Sequence, residues 1–257
     1  MNQVIDTIQK HRSIRRFEDK ALSEKATKTL LECAIRAPTT AMGHFYSVIE
    51  IKDLKLRQRL YEVCGKQASV LRGSFFVFTV DLHRSQQWAE QLGVKCTLEG
   101  YTALVFGTID MTVAAQNMVL ASESLGLGTV YIGMVGHRAF EVSELLGLPS
   151  DVIPVLGLVV GHPAEDPALR PRIPVRFVHH VDRYREMSSE DIDEAIAAVG
   201  NFSSGVAPAN RDRAAQQAWI ESLLTGKWWI SGEESLRKAL ESRFHWSEAG
   251  SCEACSQ

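Results

Sequence analysis

Long apolar runs are missing from this chain. No stretch of roughly 18 consecutive apolar residues occurs in its 257 residues, so no segment is expected to span a bilayer. The segment from Met1 to Lys10 lacks the apolar core and small-residue cleavage site of a secretory signal, which makes a cytoplasmic protein the expectation. An excess of one charge is missing too. The 28 Lys and Arg against 31 Asp and Glu leave −3 at pH 7, which removes any global electrostatic case for nucleic acid or an anionic membrane. Cysteine is scarce: Cys33, Cys64, Cys96, Cys252 and Cys255 are odd in number and thinly spread, which does not make a disulfide framework. Cys252 and Cys255 form a C-x-x-C near the end. With no second pair to complete four zinc ligands, it reads as a metal half-site, a redox pair, or incidental cysteines on a solvated tail. His44, His162, His179 and His180 match no familiar ligand spacing, so no metal is expected, and there is no internal repeat.

What is present, 45% hydrophobic and 23% charged residues, is ordinary for a globular chain and allows one large domain, or one domain with an extension. Residues 4–10 predict a short helix with Val4, Ile5 and Ile8 on one face. Ser23 reads as the N-cap of a helix that runs to Arg36 and stops before Pro38. Phe45–Lys52 and Phe75–Leu82 have strand composition, with a helix over Leu54–Cys64 between them. From Tyr101 to Leu125 a helix apolar almost all round is expected, and such a helix is buried on every side or covered by a partner chain. Strand (Thr129–Gly133), helix (Ala139–Leu146) and strand (Pro154–Gly161) follow, then an irregular connection marked by Pro163, Pro167, Pro171 and Pro174. Further helices are predicted over Ser189–Val199, Arg211–Leu224 and Glu233–Arg243, with a loop over Asn201–Ala209. Gly126-Leu-Gly128 is no dinucleotide fingerprint, because the long helix precedes the glycines and the strand follows them. It reads as a helix C-cap and a tight entry to a strand.

The stretch His11-Arg12-Ser13-Ile14-Arg15-Arg16-Phe17 carries the clearest chemistry. Three arginines, a histidine and a hydroxyl are pinned by Ile14 and Phe17, a pattern suited to a phosphate or carboxylate and open also to a solvated basic loop. In Arg170-Pro171-Arg172 the proline fixes the backbone and so the separation of two guanidinium groups. Alone that pair reads as a surface feature. With the first cluster it suggests a cofactor bearing one phosphate.

These pieces, with "RAPTT" at 36–40, "GKQASV" at 65–70, "AAQNMVLASESLGLGTVYIG" at 114–133, "LLGLPSDVIPVLGLVVGHPAEDP" at 145–167 and "RPRIP" at 170–174, resemble the flavin-dependent nitroreductase family over about residues 3–185, closest to its NADPH-dependent nitroreductase and flavin-reductase branch. The resemblance implies an α+β, nitroreductase-like fold: helices around a central mixed, mostly antiparallel sheet, in an intertwined homodimer. It implies a core over 1–185 and a helical extension over 186–257 with a tail expected to be flexible. It places His11, Arg12, Ser13 and Arg172 at the phosphate of FMN, and Arg15 and Arg170 along the ribityl chain and pyrimidine. Pro38, Thr39 and Thr40 are placed in a loop from the partner subunit, Gln67 as an amide on the flavin, and Tyr131, Ile132, Gly133 and Met134 at a strand end against the ring. Ile132 and Met134 read equally as strand core, and Thr39 and Thr40 as turn residues.

The activity implied is ping-pong hydride transfer through flavin N5, from NADPH or NADH to nitroaromatics, quinones or free flavins. The rivals are a flavin-binding protein without turnover, and a flavin-consuming or dehalogenating enzyme on the same fold. The sequence departs from the branch at Trp228–Ser235. Acidic Glu233 and Glu234 stand there where the branch carries basic residues that help hold NADPH, so NADPH is not singled out over NADH. Trp228 and Trp229 read either as a shield over the substrate face or as packing of the extension.

Overall fold

A computed structural model describes residues 2–200 and 213–244. In chain order the elements are α1 (Gln3–Gln9), α2 (Glu24–Ala34), β1 (Tyr46–Ile51), α3 (Leu54–Val63), β2 (Ser74–Asp81), α4 (His83–Leu92), α5 (Gly100–Ser124), β3 (Gly128–Ile132), α6 (Met134–His137), α7 (Ala139–Leu146), β4 (Val152–Gly161), α8 (Ser189–Gly200), α9 (Arg213–Leu224) and α10 (Lys227–Arg243). The strands form one sheet in the order β1-β2-β4-β3, each neighbouring pair antiparallel. Among the described residues, the parallel contribution is the isolated bridge between Ser13 and Thr129.

The period of two along β2 distributes its side chains to two cores. Phe75 and Val77 join Leu60 of α3, Val142 of α7, Ile14 and Phe17 on one face. Phe76 and Phe78 join Leu30 and Ala34 of α2 and Met111, Ala114 and Met118 of α5 on the other. The helices therefore cover both faces, which is why β2 and β4 read as near-continuous apolar runs.

Helix α5 is long and apolar enough to cross a membrane by length and composition, yet Ala103, Gly107, Met111, Ala114, Met118 and Val119 are buried within this fold. Its opposite face exposes Val105, Phe106 and Ile109, and α1 exposes Val4, Ile5 and Ile8. Among the described residues, nothing covers these apolar side chains.

Caps set the boundaries. Ser23 Oγ accepts from Ala26 N–H at 3.1 Å and starts α2. Gly126, at φ 75°, ends α5 as the sequence leads one to expect, while Gly128 serves a different need. A Cβ there would stand 2.7 Å from Ile14 Cγ1, so only glycine lets the 11–17 segment close on β3.

Two helices were not expected. Within α4 only Ala89 is buried, too weak an apolar pattern to read, and α6 is a single turn. Helix α10 also begins at Lys227 rather than Glu233. Ser231-Gly232 looks like a helix break in the sequence. In the fold, a Cβ at Gly232 would lie 2.2 Å from His137 Nδ1, so the glycine serves close packing of α10 on α6. Helix α10 then closes a third core, where Ala239 packs with Val80, Leu82, Ala139 and Ile153, as does Phe244 just beyond it. The loop expected over Asn201–Ala209 and the pair Cys252 and Cys255 lie outside the described residues.

Candidate functional site

The basic segment is held from both sides. Ile14 N–H donates to Thr129 O at 2.8 Å on β3, and Ala164 N–H donates to Arg16 O at 2.9 Å from the connection after β4. Phe17 also bridges to Pro163. Ile14 and Phe17 are buried, so the backbone between them is fixed and the polar side chains are left facing outward.

Carboxylates engage three of these side chains, those of His11, Arg12 and Arg16. His11 Nδ1 donates to Glu123 Oε1 at 2.6 Å, and Thr129 Oγ1 donates to the same oxygen at 3.0 Å. Arg12 pairs with Asp166 and donates to Lys10 O at 3.1 Å, while its buried Nε meets no acceptor. Glu165 accepts from the N–H groups of Arg15 (2.5 Å) and Arg16 (3.0 Å) and from Arg16 Nε (3.0 Å).

A cavity of about 590 Å³ lies beside this segment, lined by Asp6, Lys10, Arg12, Glu123, Glu165 and Asp166 among others. Its acids outnumber its bases, so by charge it is not itself the seat of a dianion. Arg15, Arg170 and Arg172 do not line it. Those three form a cationic group of their own: partial burial, then repulsion from Arg15 and Arg172, lowers the Arg170 guanidinium from its ordinary value. Arg172 donates to the carbonyls of Arg170 and Pro171, each at 3.2 Å. Like charges within electrostatic reach of one another favour an anion among them.

At the other end of β3, Tyr131 OH donates to Gln116 Oε1 at 3.2 Å, and burial, then the Glu123 carboxylate, pushes its phenol up. The Ile132 side chain is fully buried and belongs to the core, so only its backbone can face a ligand. Gly133 has nothing within 4 Å of where a Cβ would stand. Met134 packs toward Gly65, whose virtual Cβ would lie 3.7 Å from Met134 Cγ, and this places the turn carrying Gln67 beside the strand end. Gln67 Nε2 donates to Cys64 O at 3.3 Å.

Pro38, Thr39 and Thr40 are not brought to these groups within one chain. They precede β1, which lies at the opposite edge of the sheet from β3. Thr40 donates from N and Oγ1 to Asp110 Oδ1 at 2.8 and 2.9 Å, and Thr39 Oγ1 accepts from His44 N–H at 3.4 Å. The turn is tight, with Ala41, Met42 and His44 at φ 49°, 58° and 48°.

Four carboxylates that organise this region, Asp110, Glu123, Glu165 and Asp166, were not singled out from the sequence. A signal existed for two of them: Asp110 and Glu123 are the charged residues of the otherwise apolar α5. Beyond the strand end, Trp229 is half exposed, donates from Nε1 to Leu223 O at 2.5 Å, and stands 6.1 Å from His137 by ring centres.

The chain is 35% identical over 230 residues to an FMN reductase (NADPH) of Bacillus subtilis, covering 87% of this chain and 91% of that one. It is 34% identical over 193 residues to an NADPH-flavin oxidoreductase of Vibrio harveyi, covering 75% and 79%. The solved structure of NfrA2 from B. megaterium superposes with a TM-score of 0.84 at 30% identity, covering 96% of this chain and 100% of that one. The model described as "Nitroreductase family" matches residues 8–162, and this chain belongs to that family.

Proposed function

We propose that this chain is an NAD(P)H-dependent FMN oxidoreductase whose flavin lies along β3, with the phosphate toward residues 11–13 and the ring toward residues 131–134. The observation that carries the reading is the convergence of the 11–17 segment with residues 165–172 at the start of β3, in a chain of the nitroreductase family. FMN fits on physical grounds: Arg12 Nε lacks an acceptor, partial burial and then two arginine neighbours lower the Arg170 guanidinium, and open space lies at Gly133.

When bound, FMN supplies a two-electron carrier able to take hydride from a nicotinamide and pass it to an acceptor. The protein's part is placement and charge. His11, Arg12, Ser13 and Arg172 hold the phosphate. Arg15 and Arg170 offset negative charge on the reduced ring's pyrimidine side. Gln67 and the backbone of Tyr131–Met134 border the ring, and no side chain is needed as an acid or base. Acceptors are nitroaromatics, quinones or free flavins, and a cytoplasmic setting suits a donor that is NADPH or NADH.

The division proposed is a flavin-binding core up to residue 185, followed by an extension whose described residues carry α8, α9 and α10. A second copy completes the site with Pro38, Thr39 and Thr40 and covers the apolar faces of α1 and α5. Light scattering should then report twice the 28.5 kDa chain mass; a monomer removes the shared site. Purified protein should be yellow, release FMN on denaturation, and oxidise NADPH or NADH with menadione or nitrofurazone. A folded, colourless protein that ignores added flavin overturns the reading, and flavin without turnover leaves only a carrier.

A further inference from the structure

One carboxylate is placed unlike its neighbours. Glu165 Oε1 accepts from two consecutive backbone N–H groups, those of Arg15 and Arg16, while Oε2 accepts from Arg16 Nε. Its side chain is 15% exposed, against 81% for adjacent Asp166. Burial alone would raise the Glu165 carboxyl, but the two N–H donors and the Arg16 guanidinium outweigh it and hold the group below its ordinary value. Successive backbone N–H groups form an anion-binding concavity, and here the chain fills it with its own carboxylate.

That arrangement is costly for an anion site. A fixed negative charge near the seat of a phosphate dianion repels it, so charge alone gives Glu165 no useful role. Geometry does. Main-chain bonds tie the same residues: Glu18 N–H donates to His162 O at 2.9 Å, and Ala164 N–H to Arg16 O at 2.9 Å. Just beyond those ties, toward Ile14, Glu165 is the side chain that reaches across to fix the Arg15 peptide, and Arg15 stands within electrostatic reach of Arg170.

We propose that Glu165 is a positioning residue for the flavin site, its reach to both N–H groups setting the Arg15–Arg16 backbone before FMN arrives. The ordering is then already in place in the free protein, and binding does not bear its entropy. This rests on the assignment of Arg12, Ser13, Arg15, Arg170 and Arg172 to FMN.

Reach and charge are separable by two full-length variants. Glu165→Gln keeps an oxygen at the same distance without the charge, and Glu165→Asp keeps the charge but withdraws it by one methylene. Flavin-free protein is titrated with FMN and with riboflavin by fluorescence quenching, well below the melting temperature measured for each variant. Glu165→Asp should weaken FMN binding on the order of fivefold, the equivalent of ordering about one residue. Glu165→Gln should bind FMN as tightly as the parent or more tightly. If Gln weakens binding as much as Asp, charge matters and reach does not. If neither variant weakens binding while both melt earlier, Glu165 is a structural clip only. Either result overturns the proposal. A parent protein that binds FMN no more tightly than riboflavin overturns the phosphate assignment, and this proposal with it. An intact FMN preference with unweakened variants removes this proposal alone.

Discussion

The two ends of the candidate site are built from different materials. At the start of β3 the groups are charged side chains on partly exposed backbone; His11, Arg12 and Arg16 are tied to carboxylates and Arg172 to neighbouring carbonyls. At the end of β3 they are a fully buried isoleucine, a glycine and a strand held by its pairing with β4 and by the Tyr131 bond to Gln116 of α5. The first end can therefore change without disturbing the fold, while the second cannot. Replacing Ile132 by alanine tests this most severely. Its side chain packs with Val135, Phe75 and Val142, so its loss should cost about 3 kcal/mol of stability. The ratio of FMN to riboflavin affinity should stay unchanged, because no phosphate contact is touched. A changed ratio at normal stability would erase the distinction between the ends.

The reverse dissociation belongs to Arg172. Its guanidinium is exposed and donates to the carbonyls of Arg170 and Pro171, so Arg172→Ala should move stability by less than about 0.5 kcal/mol. If it also binds the flavin phosphate, charge-assisted hydrogen bonds worth about 2 kcal/mol are lost, a fall of roughly thirtyfold in FMN affinity. Riboflavin, which lacks the phosphate, should bind as before. Equal losses for both flavins would move Arg172 from the phosphate to the ring.

The same difference in materials explains what the sequence could convey. Guanidinium groups near Ile14 and Phe17, and a second pair fixed by Pro171, are visible as residue types, and so were both sides of the cationic group. Strand and helix positions followed from periodicity, because β2 alternates between two cores and α5 is apolar on every side. The carboxylates were not legible, since their role lies in partners far along the chain: Glu165 and Arg15 are 150 positions apart. The role of Gly232 was not legible for a related reason. Its value is the His137 ring that fills the place of its side chain, and nothing within the local sequence announces that ring. Thr40 shows the same limit, because its hydroxyl is bonded to Asp110, seventy positions away on α5.

The smallest expected effect separates the two carboxylates of the connection after β4. Asp166 pairs with Arg12 from a position that is 81% exposed, and Arg12 itself is 33% exposed. Exposed pairs of this kind contribute about 0–1 kcal/mol, so Asp166→Asn should leave the melting temperature nearly unchanged. Its consequence for the flavin has the opposite sign to that of shortening Glu165. Asp166 engages the guanidinium that the phosphate needs and adds a negative charge beside it, so removing the charge should tighten FMN about twofold by titration. Riboflavin should be unaffected. If FMN binding weakens instead, Asp166 aligns Arg12 rather than competing for it, and both carboxylates then serve to arrange the cationic end.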